Sequence, residues 1–151
     1  MTKIDDALHD ILSNDPLGKH LGMRIDEIHA GYARCSMTIT PELLNFAGTA
    51  HGGAMMALID VVHAAVSNSH GTLAVAQDVH TEFLAAGAEG DELVCEGHEL
   101  SRSKRTAVYR IEVVAQARDG KPQRLLATAL ARVFRVGTPW LRDPGDAADT
   151  D

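Results

Sequence analysis

Three scarcities bound this chain before any motif is considered. It holds only two cysteines in 151 residues, Cys35 and Cys95. They lie far apart in sequence, with no metal-type spacing, so a reduced cytoplasmic protein is the expectation. The chain is also short of positive charge: 14 Lys and Arg stand against 21 Asp and Glu, for a formal net charge of -7. That balance argues against nucleic acid as a partner in bulk. Finally, no apolar run approaches the length of a membrane span, and the charged start shows no leader or transit peptide. What is present is ordinary for a soluble protein, with 45% hydrophobic residues in a length sufficient for one buried core.

Apolar residues at 4, 7, 8, 11 and 12 recur at helical spacing and stop near Asn14-Asp15-Pro16, which predicts a helix over 4–12. Residues 22–40 read as extended, with a turn at Ala30-Gly31 and alternation through Tyr32, Arg34, Ser36 and Thr38. An apolar segment over 54–66, broken only by Asp60 and His63, predicts a helix buried on nearly every side. Strand-like runs follow at 72–84, 93–100, 107–117 and 125–136, separated by turn signals at 68–71, 87–91 and Asp119-Gly120-Lys121-Pro122. Short connections favour an antiparallel sheet, and that sheet has to cover the one apolar helix. The expected class is therefore α+β, with 1–21 as an N-terminal helix and lead-in, 22–140 as one domain, and 141–151 as a flexible acidic tail.

Chemistry concentrates between Asn45 and Asp60. A carboxylate in an apolar helix must be hydrogen bonded, neutralised, or placed at a wet cleft or interface, and each of these is common at active sites. Gly52 and Gly53 fall where the helix should begin. The first N–H groups of a helix lack internal partners and sit at its positive end, so they suit an oxygen that gains negative charge. A tight loop-to-helix turn would demand the same small residues. The seven steps from Gly53 to Asp60 span roughly 10 Å of helix, whereas an attacking group and an oxyanion donor must both lie about 3 Å from one reacting atom. If both serve one site, they come from two copies of the helix, and a symmetric dimer would carry two such sites.

The pattern of Asn45, His51-Gly52-Gly53 and Asp60, followed by Gly90-Asp91, Ser101, Arg102 and Tyr109, resembles the hot-dog fold acyl-CoA thioesterases of the phenylacetic acid degradation type, over about residues 22–136. The resemblance implies a single hot-dog domain, an antiparallel sheet wrapped around a long central helix. It also implies sheets joined edge to edge in a homodimer, dimers paired into a homotetramer, and an active site at the dimer interface. The implied substrate is an acyl-CoA, aryl-acetyl such as phenylacetyl-CoA or medium-chain, with no cofactor beyond the CoA of the substrate itself. Asp60 would attack or activate water, Gly52 would offer its N–H to the thioester oxygen with Gly53 as second candidate, Asn45 would orient the attacking group, and His51 would fix the turn or polarise the thioester. Some members carry a hydroxyl residue near the position of Ala76 and Gln77. This chain has none there, which leaves Gln77 as the substitute if it faces the site. A thioester suits so sparse a set, since its carbonyl is electrophilic and its thiolate leaves readily, so no Ser-His-Asp triad is needed.

Other residues carry weaker expectations. Arg102, Lys104 and Arg105 gather positive charge between two predicted strands and could hold the phosphates of CoA, or simply face solvent. Phe46, Met55, Met56 and Val61 could line an acyl pocket or be plain core. Asp78, His80 and Glu82 alternate on one strand face, and Asp60 and His63 are three apart, yet neither group forms a metal-ligand motif, so no metal is expected. Two other functions stay open: an acyl-CoA-binding hot-dog protein without turnover, and a hot-dog hydratase or dehydratase.

Overall fold

The apolar segment folds as the longest helix, α3 (Gly52–Asn68), and the rest of the chain is arranged around it. This computed structural model describes residues 1–141, so the tail expected over 141–151 lies outside the described residues except for Leu141. Before α3 come α1 (Asp6–Leu12), α2 (Pro16–His20), and a hairpin of β1 (Arg24–His29) and β2 (Tyr32–Thr38). After it come β3 (Thr72–Phe83), β4 (Glu92–Arg102), β5 (Thr106–Ala115) and β6 (Arg124–Pro139). Among the described residues the six strands form one antiparallel sheet in the order β1-β2-β4-β5-β6-β3.

The alternation of β5 shows why this sheet wraps a helix. Ala107, Tyr109, Ile111, Val113 and Ala115 point inward and are buried, while Arg110 and Glu112 between them are exposed. From the other side α3 contributes Leu58, Ile59, Val62 and Val66, all fully buried. Full burial of one such side chain stabilises the fold by about 1.5–3 kcal/mol. Helix and sheet meet closely at Gly97, where an added Cβ would lie 2.7 Å from Val62 Cγ1. A larger residue on β4 at that point would push α3 off the sheet.

Two local readings need correction. Asn14-Asp15-Pro16 stops α1, but it also starts α2: Asp15 accepts the Gly18 N–H at 2.7 Å as N-cap, and Pro16 occupies the first turn, where its missing N–H costs nothing. Nor is α3 covered on every side. Gly53, Asp60 and Ala64 are exposed, and Met56 and Ala57 are partly so. Residues 53, 57, 60 and 64 form a single stripe at helical spacing. Because its members besides Asp60 are Gly and Ala, the stripe reads as interior in the sequence. In the folded chain it is open, and Asp60 is not buried there.

His63, one turn past Asp60, is the buried polar group of α3 that lacks compensation. It is 1% exposed, its Nε2 has no hydrogen-bond partner, and its ring meets that of Tyr109 at 5.6 Å in an edge contact. Burial pushes its pKa below the ordinary 6.5, outweighing the upward pull of Asp60 and Asp78. A histidine depressed in the folded state takes up its proton more readily when unfolded, so stability falls as pH drops below about 6.5. His63→Phe keeps the ring contact and removes the titration. Its Tm should therefore fall less between pH 7 and 5.5 than that of the wild type, and equal losses in the two proteins would contradict this reading of His63.

Candidate active site

The turn into α3 is built from the backbone outward. His51 N–H donates to Leu43 O at 2.8 Å, and Ala50 N–H donates to Gly87 O at 2.9 Å. The preceding loop is held by Asn45, whose Oδ1 accepts Ala47 N–H at 2.9 Å and Thr49 N–H at 3.2 Å while its Nδ2 donates to Thr49 Oγ1 at 2.9 Å. Most of the hydrogen-bonding capacity of Asn45 is thus spent inside its own loop. Phe46, at the tip of that loop, is fully exposed.

His51 then separates the two glycines. Its Nδ1 accepts the Gly53 N–H at 2.8 Å, and its carbonyl accepts from Ala54 and Met55 at 3.0 and 3.2 Å. Among the described residues the Gly52 N–H has no partner. Of the two candidate donors, Gly53 is therefore spent on the cap and Gly52 is free, at the positive end of a 17-residue helix. Because Nδ1 accepts, the imidazole of His51 carries its proton on Nε2. The residue is exposed, and that N–H is a second donor beside the turn.

The flanks are apolar. A methyl group at Gly52 would sit 3.5 Å from Cζ of Phe83, so the phenyl ring at the end of β3 covers one side of the glycine. Beside His51 and Gly53 opens a cleft of about 390 Å³, lined by Leu17, Leu21, Leu43, Ala54 and Ala57 with Glu42 among them. Leu17, Leu21 and Phe83 have no signature in the sequence that would mark them as lining a site; only the packing of α2 and the end of β3 against this turn reveals them. Of the residues expected to line an acyl pocket, Met55 and Val61 are buried in the core and Met56 is half-buried.

Asp60 stands on the open stripe of α3, eight residues beyond Gly52 and so roughly 12 Å along the axis. Gln77 is exposed on the edge strand β3, between Ala76 and Asp78, where the register with β6 slips; such a bulge re-aims a side chain. The basic residues lie at the far end of the sheet. Phe83 pairs with Ala127 and Thr106 pairs with Phe134, and seven steps of β6 separate the two ends by roughly 23 Å. There Arg135 Nη1 donates to Ser103 O at 2.6 Å, Arg102 pairs with Glu99 at 3.4 Å, and Lys104 and Arg105 are exposed without an ion pair among the described residues. One copy of the chain thus brings His51, Gly52 and the cleft together, but sets Asp60 and the basic turn apart from them. Asp78 is paired with Arg132 at 2.6 Å and Glu82 with His80 at 2.8 Å. Among the described residues no three His, Cys, Asp or Glu side chains converge on a point.

A long helix laid along a six-stranded antiparallel sheet, with a His-Gly-Gly turn at its start and an acid halfway along it, is the hot-dog architecture. The Thioesterase superfamily profile matches residues 47–120, from the loop before α3 through β5 to the turn after it. A putative esterase of Archaeoglobus fulgidus is 40% identical over 123 residues, covering 82% of this chain and 77% of the relative. The acyl-coenzyme A thioesterase PaaI of Escherichia coli is 34% identical over 129 residues, 85% and 89% of the two chains. The structure of that PaaI superposes with a TM-score of 0.80 over 87% of this chain and 91% of its own. The smu.793 protein of Streptococcus mutans, solved bound to acetyl CoA, is 26% identical with a TM-score of 0.71 over 78% of this chain and 90% of its own. The chain belongs to the Thioesterase superfamily and is a thioester hydrolase of the PaaI-like type.

The division between the glycines can be tested at the backbone. Gly52 is the first residue of α3, and His51 has φ -64 and ψ 130, a conformation that a following proline accepts. Gly52→Pro therefore deletes the free N–H with the helix kept, while Gly52→Ala keeps the N–H and meets Phe83 at ordinary contact distance. Loss of kcat by about 100-fold or more in the proline variant is expected from the loss of one oxyanion donor, with the alanine variant within about tenfold of wild type. Equal activity of the two variants would remove Gly52 N–H from the chemistry.

Proposed function

We propose that this protein hydrolyses an acyl-CoA, aryl-acyl or medium-chain, to the free acid and CoA at a site shared by two copies of the chain. The observation that carries the proposal is the spacing on α3. The free Gly52 N–H and the exposed Asp60 carboxylate are too far apart on one rigid helix to act on the same carbonyl, so the turn of one copy works with the acid of another. The surfaces that would meet are consistent with this. β3 is an edge strand of 12 residues, Val75 and Phe83 on it and Leu84 just beyond it are exposed, and an edge strand left unpaired invites association. The open stripe of α3 is lined by Gly and Ala and allows close approach. A homodimer joined along β3, able to pair again into a tetramer, supplies both requirements.

In that site the acyl group lies in the cleft formed by Leu17, Leu21, Leu43, Ala54 and Ala57, and the thioester oxygen accepts the Gly52 N–H. The Nε2–H of His51 is placed to support the same oxygen or the sulphur. Asp60 of the other copy either attacks the carbonyl carbon or takes a proton from an attacking water. The tetrahedral oxyanion then collapses, the C–S bond breaks, and CoA leaves as its thiolate. In the direct route the mixed anhydride left on Asp60 is then hydrolysed by water, and labelled oxygen found in the carboxylate of Asp60 after single turnover in ¹⁸O-labelled water establishes that route, because base-activated water labels only the released acid. Lys104 and Arg105 lie far from the Gly52 turn of their own chain, so their contact with CoA phosphates is also one made between copies. CoA-bearing relatives support acyl-CoA as the substrate class, and the buried free thiols of Cys35 and Cys95 suit a reducing cytoplasm.

Thiol release from a panel of aryl, short and medium acyl-CoA esters tests this reading. Wild type is expected to turn over the aryl-acetyl or medium-chain class, and Asp60→Asn, nearly identical in shape, to lose at least about 100-fold in kcat/KM. Tight binding of acyl-CoA without thiol release by the wild type would instead favour a binding protein.

A further inference from the structure

The loop between β3 and β4 contains a buried ion cluster that the chemistry above does not use. Asp91 is 2% exposed. Its Oδ2 accepts Ala88 N–H at 2.9 Å and Arg124 Nη2 at 2.7 Å, and its Oδ1 accepts Arg118 Nη2 at 3.2 Å. Both arginines also grip the loop backbone: Arg124 Nη1 donates to Ala86 O at 3.0 Å, and Arg118 Nη2 donates to Glu89 O at 3.0 Å. Burial alone would raise the pKa of Asp91, but the Ala88 N–H and the charges of Arg124 and Arg118 outweigh it and hold the group below its ordinary 3.8. Asp91 is therefore ionised wherever the protein is folded near neutral pH.

The stapled loop ends against the catalytic turn. Gly87 O accepts the N–H of Ala50, the residue before His51, at 2.9 Å. Side chains close the space at Gly87: a Cβ there would lie 3.0 Å from Ala50 Cβ and 3.2 Å from Leu126 Cδ1. Ala50 is thus pinned from the loop side, and His51 from the Leu43 side. Those two bonds set the direction of the next peptide, which carries the Gly52 N–H. An oxyanion donor displaced by 1 Å forfeits about 100-fold in rate, so a rigid support is worth a buried charge cluster.

We infer that Asp91, with Arg118 and Arg124, is a positioning residue for the oxyanion donor. It acts through Gly87 and Ala50, holding the Gly52 N–H in line without touching substrate. The inference rests on Gly52 serving as that donor. Asp91→Asn keeps the size and one acceptor, and the two arginines it releases are already about one-third exposed, so they rehydrate and the chain should fold.

The test pairs kinetics with residue-resolved amide exchange on Asp91→Asn. The expected kinetic result is a fall in kcat of about 10- to 100-fold, with KM within about threefold of wild type, because the acyl cleft and the CoA contacts are untouched. The expected exchange result is faster exchange at Ala50, His51 and Gly53, with the buried turns of α3 from Leu58 to Val66 unchanged. A folded variant with kcat within threefold of wild type, or with exchange quickened evenly through helix and sheet, would overturn the inference. Arg124→Lys keeps the charge but loses the two-pronged grip, and it should show the same local pattern at smaller amplitude. It decides the matter if Asp91→Asn does not fold. The exchange measurement needs no turnover, so it stands even if the wild type releases no thiol, an outcome that would count against the thioesterase reading alone.

Discussion

The hydrogen-bonded rise of an α-helix, about 1.5 Å per residue, is the constraint from which the rest of this protein follows. It separates Gly52 from Asp60 by a distance no side-chain rotamer can close. The proposed function therefore brings a second copy of the helix into the chemistry, and on that proposal features that look like flaws in an isolated chain acquire a reason. A stripe of Gly and Ala lies bare along α3, and a long strand with Val75 and Phe83 exposed forms the edge of the sheet. Each is a liability in a monomer and a requirement in a two-fold assembly.

The start of that helix is settled by a different interaction. A helix offers several unpaired N–H groups at its first turn, and a site needs them aimed rather than merely present. Here His51 consumes one through Nδ1, which leaves its own proton on Nε2 and leaves the Gly52 N–H free. The surrounding contacts, from Leu43 on one side and Gly87 on the other, pin the two residues before that amide. The ion cluster at Asp91 lies one step further back in the same chain of support. Phe83, Leu17 and Leu21 give the vicinity apolar flanks.

Much of this was legible in the sequence because the periodicities are strong. The helix over 54–66, the alternating strands and the turns between them stand in the structure within a few residues of their expected bounds, and the His51-Gly52-Gly53 turn opens α3 as expected. The failures share a cause. Asp15-Pro16 reads as an ending because a local signal cannot say whether a proline follows one helix or begins the next. The stripe of α3 reads as core because small apolar residues suit an interior and an interface equally. Leu17, Leu21, Phe83 and the arginine partners of Asp91 reach the site only through contacts distant in sequence. Which glycine keeps its N–H depended on one side-chain hydrogen bond, and no spacing rule contains that.

Mixing two defective chains tests the shared site most directly. Neither Asp60→Asn nor Gly52→Pro alone should hydrolyse acyl-CoA appreciably, since each removes one half of every site. Co-expressed in equal amounts and allowed to assemble at random, they place an intact Gly52 opposite an intact Asp60 in about one site in four, so activity should return to about a quarter of wild type. If the mixture stays at the level of the two parents despite proven co-assembly, the turn and the acid do not work across copies, and the site is not shared.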